Sequence, residues 1–285
     1  MIMQPPCNWA LEKIRNGEIT NVYVAGNFAT VRHIDFISSS GDFDVIWFDL
    51  EHFDIATQDL AVLALVAKAH SVSTIARVRA TDYQVVARTL ETGVDGIMCP
   101  MVANAAEARQ IVQWAKFNNP KPVNGEVVGK RGWNGGNIDA DYGRLPAIDY
   151  MRIKNTQTMV LCQIEHDEAL ENAADIAAVP GVDGLFFGPG DYSASLGLAG
   201  QITHPKVYEA MRRVAEAATA ADKWWGSVAV GKEMYGRAKS LGGQFLCPGG
   251  DVKVMHLGLK ALLQSFKDTP ELVPAINATE TPKYP

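Results

Sequence analysis

Long apolar runs, paired cysteines and blocks of basic residues are all missing from this 285-residue chain, and each absence removes a class of function. Nowhere do about 18 consecutive apolar residues occur, so no membrane span is expected. No more than two Lys or Arg residues stand side by side. The 26 basic against 32 acidic side chains leave a formal charge of −6, so nucleic acid is not an expected partner. The four cysteines, Cys7, Cys99, Cys162 and Cys247, share no CxxC spacing, and three of them fall in strand-like runs. Buried free thiols in a reducing cytoplasm are the simple reading. The N-terminal segment has no apolar stretch after a basic start and does not read as a secretory signal. The glycosylation-type triplet Asn277-Ala278-Thr279 is accordingly read as chance.

What is present is core. Apolar residues make up 47% of the chain, and eight runs rich in β-branched and aromatic residues recur at 21–26, 44–50, 73–79, 95–102, 158–165, 183–188, 224–229 and 244–248. Amphipathic stretches lie between most of them, at 57–69, 83–92, 105–117, 167–179, 204–221 and 232–241. Near-continuous apolar strands alternating with helices imply a parallel sheet covered on both faces. Eight such units imply a closed (β/α)₈ TIM barrel in a single domain, residues 1–267, with an open doubly wound sheet as the competing arrangement. Two segments break the rhythm. Residues 118–151 are rich in Gly, Pro and Asn, follow the fourth strand, and read as a lid or as a loose insertion. Residues 268–285 form a Pro- and Thr-rich tail, read as disordered or as an arm reaching another subunit.

The chemistry sits at strand ends. The fifth run finishes in Glu165 and the segment that continues the sixth finishes in Asp191, one strand–helix–strand unit apart. From parallel neighbours these would project from the same sheet edge and could share one divalent cation. Hard oxygen ligands favour Mg²⁺, Mn²⁺ or a similar ion over a structural zinc. The second run ends Asp49-Leu50-Glu51-His52, which offers an Asp–His pair as a general base. The third ends Arg77-Val78-Arg79, and either arginine suits capture of a carboxylate. Alternation alone does not choose between them. The fourth run ends Cys99-Pro100-Met101-Val102 and reads as apolar packing with a proline stop. No lysine falls in any run, which argues against a Schiff-base mechanism, although Lys130 and Lys253 lie in expected rim loops. Gly249-Gly250 reads as a tight turn, with an anion cradle as the lesser alternative. A cation, an anion-binding arginine and a base together suit a 2-oxo acid and its enolate.

At this point the chain resembles a known family. Asp49-Leu50-Glu51-His52, Gly93-Val94-Asp95-Gly96, Arg131-Gly132, Gln163-Ile164-Glu165 and the run from Gly181 to Gly197 are similar to the motifs of the HpcH/HpaI aldolases, over residues 8–266. The resemblance implies a metal-dependent class II pyruvate aldolase that reversibly cleaves a 4-hydroxy-2-oxo acid to pyruvate and an aldehyde. It implies Glu165 and Asp191 as ligands of Mg²⁺, Mn²⁺ or Co²⁺, His52 as the base with Asp49 as its partner, and Arg77 rather than Arg79 on the oxo acid. Gln163 and the backbone N–H groups of Gly190 and Asp191 are implied as further oxo-acid contacts. Family members are typically hexamers that exchange a C-terminal helix, so a homo-oligomer is expected. Gly190, Tyr192, His166, Trp133 and Pro248-Gly249-Gly250-Asp251 depart from the usual residues, chiefly where the aldehyde end of the substrate would lie. An oxaloacetate-type decarboxylase, a C–C bond-forming enzyme on the same scaffold, or a non-catalytic oxo-acid-binding barrel are the alternatives.

Overall fold

A computed structural model of the chain describes residues 7–118 and 129–267. Helix α1 (Trp9–Arg15) leads into β1 (Thr20–Ala25), α2 (Val31–Ser39), β2 (Val45–Asp49), α3 (Thr57–Ala69), β3 (Ser73–Arg77), α4 (Tyr83–Glu91), β4 (Gly96–Cys99) and α5 (Ala105–Ala115). A 3₁₀ turn at Ile138–Gly143 precedes α6 (Ala147–Gln157) and β5 (Met159–Ile164). Two short helices, α7 (Asp167–Glu171) and α8 (Ala173–Ala177), lead to β6 (Gly184–Phe187), α9 (Pro189–Ser195), α10 (Pro205–Ala220), β7 (Trp224–Val228), α11 (Lys232–Ser240), β8 (Phe245–Gly250) and α12 (Asp251–Lys267). All eight strands run parallel, and β8 pairs with β1 to close the barrel. This is the (β/α)₈ architecture that the alternating pattern implied.

Strand alternation sorts the core into two layers. Val45, Trp47, Ile75, Met98, Leu161 and Phe186 pack inside the barrel, and their neighbours Ile46, Phe48, Ala76 and Leu185 pack outward under the helices. Ala10, Leu11 and Ile14 of α1 join the inner cluster and plug the N-terminal mouth. Asn8 fixes that plug, capping Leu11 N–H and donating to the carbonyl oxygens of Asp95 and Gln157. The C-terminal mouth therefore remains as the place for polar side chains.

One device recurs below three of the even strands. Asp44, Asp95 and Asp183 stand just before β2, β4 and β6. Each accepts a backbone N–H from near the start of the preceding strand, at Asn21, Thr74 and Val160, all at 2.8 Å. Lys13 and Lys116 add charge to Asp44 and Asp183. Register is thus set by a side chain at the closed end of the barrel, away from the functional rim.

Several sequence expectations need adjustment. Gly249 and Gly250 are not a tight turn: they belong to β8 and pair with Tyr23 and Val24 across a bulge. A Cβ on Gly250 would lie 2.3 Å from the Val24 carbonyl oxygen, so only glycine lets these strands close. The fourth strand ends early because Met101 turns to φ +58°. The helix expected at 167–179 is broken at Asn172, which ends α7 and starts α8. In the segment expected as a lid or insertion, residues 129–151 include the start of α6 and are pinned by a buried cluster: Arg131 and the Tyr150 hydroxyl both reach Asp139 Oδ2 at 2.6 Å, with Arg131 over the Phe117 ring. Residues 119–128 of that segment, like the tail 268–285, lie outside the described residues. The chain divides into two units, Met1–Asp251 and Val252–Pro285. In the second unit the structure describes the rest of α12, whose Leu257, Leu259, Leu263 and Phe266 are exposed.

Asp183→Ala would leave the Val160 N–H without its acceptor and the buried Lys116 without its counter-charge. Denaturant unfolding should show a loss of about 1–3 kcal/mol; an unchanged midpoint would remove this aspartate from the set that fixes register.

Candidate active site

The inward residues at the open mouth are charged where those beneath are apolar. On β2, Asp49 follows Trp47 on the inner face, and on β3, Arg77 follows Ile75. Register sets Asp49 directly beside Arg77. The guanidinium is clamped: Nε donates to Asp49 Oδ1 at 2.9 Å, Nη2 to Oδ2 at 2.6 Å, and Nη1 lies 3.1 Å from Glu51 Oε2. Beneath it the Trp47 ring lies 5.0 Å from Arg77 Cζ. Burial opposes the charge on Arg77, but Asp49, Glu51 and Glu165 outweigh it and hold its pKa above the usual value. Of the five N–H donors of a guanidinium, three are thereby engaged and two remain for a ligand.

On the other side of the mouth, Glu165 follows β5 and is buried. Its Oε2 accepts the Met101 N–H at 3.0 Å, which the left-handed Met101 backbone aims at it. Gly188, beyond β6, leaves it room, since a Cβ there would lie 2.6 Å from Glu165 Oε1. Asp191 stands in the first turn of α9, exposed, and its charge reaches Glu165. Burial pushes the Glu165 carboxyl up to about 7; the Met101 N–H and Arg77 pull it down, while Asp191 and Glu51 push it further up. The Gly190 and Asp191 N–H groups lie in the first turn of α9, where a helix has no internal acceptors. Gln163 points inward from β5, and its Oε1 is buried with no protein partner.

The structure thus brings Asp49, Glu51, Arg77, Glu165 and Asp191 into one electrostatic cluster, four carboxylates against one guanidinium. His52 is at its edge, its side chain 58% exposed. The expected Asp49–His52 pair is not formed. Both Asp49 oxygens are taken by Arg77, and Oδ1 also accepts the Glu51 N–H. The carboxylate beside His52 is Glu51, with Oε2 3.8 Å from Nε2. Arg79 lies past the end of β3, exposed and outside this cluster. Two contributors were not foreseen. The Met101 N–H depends on a backbone turn that no residue type announces, whereas Trp47 was available from alternation, two residues before Asp49.

Among the described residues no three metal-ligating side chains converge. Two carboxylates suit a hard cation, which completes its shell with water and ligand oxygens. Four carboxylates against one guanidinium also suit the uptake of a cation. None of the strands carries a lysine. Among the described residues two amines are buried: Lys116, held by the Thr158 carbonyl oxygen and Asp183, and Lys154 on α6, lowered to about 8 by burial against the charges of Asp139 and Asp95. Asp95 precedes β4, so this lysine belongs with the closed end of the barrel.

Residues 20–256 match the model of the HpcH/HpaI aldolase/citrate lyase family. A hydroxypyruvate/pyruvate aldolase of Delftia acidovorans is 31% identical over 280 residues, covering 98% of this chain and 100% of that protein. A 4-hydroxy-2-oxo-heptane-1,7-dioate aldolase of Salmonella paratyphi A is 30% identical, over 79% of this chain and 82% of that one. The crystal structure of an HpcH/HpaI aldolase from Desulfitobacterium hafniense superposes with a TM-score of 0.83 at 29% identity, covering 93% and 98% of the two chains.

A carboxyl raised in the folded state still holds its proton where the unfolded chain has lost it, so stability falls as pH rises between the two values. For Glu165 that window runs from 4.5 to about 7. Metal-stripped protein should lose roughly 3 kcal/mol across it. Thermal unfolding should show that loss absent in Glu165→Gln, and Mn²⁺ should stabilise the wild type but not the variant.

Proposed function

The chain belongs to the HpcH/HpaI aldolase/citrate lyase family, and on that premise we propose that it is a divalent-metal-dependent aldolase. Its reaction is the reversible cleavage of a 4-hydroxy-2-oxo acid to pyruvate and an aldehyde. The observation that carries this reading is the mouth itself: Arg77, with two N–H donors left, and Asp191 both act on the buried Glu165 carboxyl.

In this reading Glu165 and Asp191 hold Mg²⁺, Mn²⁺ or Co²⁺, and the cation supplies Lewis-acid polarisation of the keto oxygen. Arg77 takes the substrate carboxylate with its free N–H groups, helped by the backbone of Gly190 and Asp191. Asp49 keeps the guanidinium in place from one side and Trp47 from below, so little ordering is left to do at binding. Gln163 offers its amide to the oxo acid from the barrel floor. His52 removes the proton from the C4 hydroxyl, directly or through a water. The C3–C4 bond then breaks, its electron pair passes into the C2–C3 enolate, and the aldehyde leaves; protonation at C3 gives pyruvate. The side chain that orients His52 and balances its charge is Glu51 rather than Asp49, because Asp49 is saturated by Arg77 and releasing it would expose a buried ion pair. Glu51 therefore serves both the arginine and the base. The exposed apolar side chains of α12 support the expectation of a homo-oligomer in which this helix is covered.

The first test is pyruvate release from a panel of 4-hydroxy-2-oxo acids, coupled to lactate dehydrogenase. Activity should vanish with EDTA and return with Mg²⁺, Mn²⁺ or Co²⁺; activity indifferent to EDTA would overturn the metal assignment. Oxaloacetate turning over where no panel member does would move the reading to a decarboxylase. His52→Ala should slow cleavage on the order of 10²–10⁴-fold with metal binding intact. Glu51→Gln should lower kcat and spare KM, because Asp49 still holds Arg77, whereas Asp49→Asn should raise KM. The opposite split would restore Asp49 as the partner of His52.

A further inference from the structure

A cavity of about 370 Å³ opens beside the mouth, lined by Arg79, Thr81, Met101, Gln110 and Trp114 among others. Strand β3 ends at Arg77, and with it the inward alternation. Arg79 therefore lies over the top of β4 and α5 rather than in the barrel. Among the described residues its guanidinium has no ion pair and no hydrogen-bond acceptor. The one carboxylate on the lining, Glu107, is already committed to the start of α5: Oε2 accepts the Ala103 N–H at 2.9 Å, and Oε1 lies 3.4 Å from Asn104 Nδ2. The cavity thus holds an unspent cation with neutral hydrogen-bonding groups, Thr81 and Gln110, and an apolar wall at Ile111 and Trp114.

This cavity is joined to the mouth by one residue. Met101 presents its N–H to Glu165 and also lines the cavity. Anything held by Arg79 touches the segment that positions Glu165. We propose that this cavity is a carboxylate subsite, in which Arg79 takes an acid group whose methylene chain lies against Ile111 and Trp114. A guanidinium is suited to a carboxylate by its paired N–H geometry. Resting on the aldolase reading, the acid group is either the far carboxylate of the substrate's aldehyde half or that of a separate small carboxylic acid. The subsite is separate from the Arg77 position, whose guanidinium faces the barrel interior.

Two arms distinguish the sources. In the first, kcat/KM is compared for 4-hydroxy-2-oxo acids of equal length ending in a carboxylate or a methyl group, in the wild type, Arg79→Ala and Arg79→Lys. A far carboxylate predicts a wild-type preference on the order of 10–100-fold for the dicarboxylic substrate, lost in Arg79→Ala, partly kept in Arg79→Lys, with the methyl-ended substrate unaffected. In the second arm, succinate is titrated into protein saturated with pyruvate and Mn²⁺, and calorimetry reads its binding. A separate acid predicts saturable binding that Arg79→Ala abolishes, with no substrate preference. If neither the preference nor the binding depends on Arg79, the subsite is overturned. If the wild type cleaves no panel member, the aldolase reading falls, while succinate binding still decides the subsite.

Discussion

A buried guanidinium has to be neutralised where it stands, and the placing of Arg77 between Asp49 and Glu51 is the constraint from which the mouth is built. Isolated, the charge would not tolerate a position that is 8% exposed at the top of an apolar barrel. Asp49 meets this demand through register, because β2 and β3 pair those two residues directly. Once Asp49 is spent on the arginine it cannot orient a histidine, so that task falls to Glu51. With Arg77 paired to Asp49 and Glu51, it offsets Glu165 only through space, and among the described residues neither Glu165 nor Asp191 has a direct ion-pair partner. The same pairing that makes the arginine tolerable therefore makes the site favourable to a cation.

The barrel was legible because its strands are nearly pure apolar runs, and because the residues between them repeat helix periodicity. The inward face was legible in part: alternation carries Trp47 to Asp49 and Ile75 to Arg77, but it does not say where the strand stops. By alternation Arg79 stayed an equal candidate, and the end of β3 at Arg77 is what separates the two. Partner choice was not. Asp49 and His52 are three residues apart in sequence, and the sequence does not say that the arginine one strand away will take both carboxylate oxygens. Backbone irregularities were hidden too. Met101 adopts a left-handed conformation that no L-residue prefers, and an apolar Cys99-Pro100-Met101-Val102 run carries no sign of it. Gly249-Gly250 misled in the other direction. Paired glycines usually mark a turn, but here their lack of side chains lets β8 lie against β1.

Some departures from the resembling family are explained by local structure rather than by substrate. His166 takes the N-cap position of α7, its Nδ1 accepting the Ala169 N–H at 3.3 Å, a task that a hydroxyl side chain also performs. Tyr192 is buried against Phe187, and its hydroxyl donates to Asp167 at 2.8 Å. The two changes meet, because Asp167 follows His166: the start of α7 is capped by one and tied to α9 by the other. That tie fixes α9, the helix whose first turn carries Gly190 and Asp191. Residues that look like substrate adaptations in sequence thus act on the rigidity of the turn that carries Asp191.

Rigidity is uneven around the rim, and the unevenness has a physical origin. Glu165 is held by a strand end, by a backbone N–H and by the space that Gly188 leaves, whereas Asp191 is exposed on a one-turn-deep helix start. Under the proposed assignment a cation held by both would meet one fixed carboxylate and one free to adjust. His52 is likewise outside the strand and mostly in solvent, while Arg77 is fully clamped. The groups assigned to hold the oxo acid are preorganised, and those assigned to the bond being broken have freedom to follow it. Such a division suits a reaction in which the pyruvate half stays constant and the aldehyde half leaves. Changes at the His52 and Met101 edges would therefore alter the departing half without disturbing the ion pair that keeps Arg77 in place.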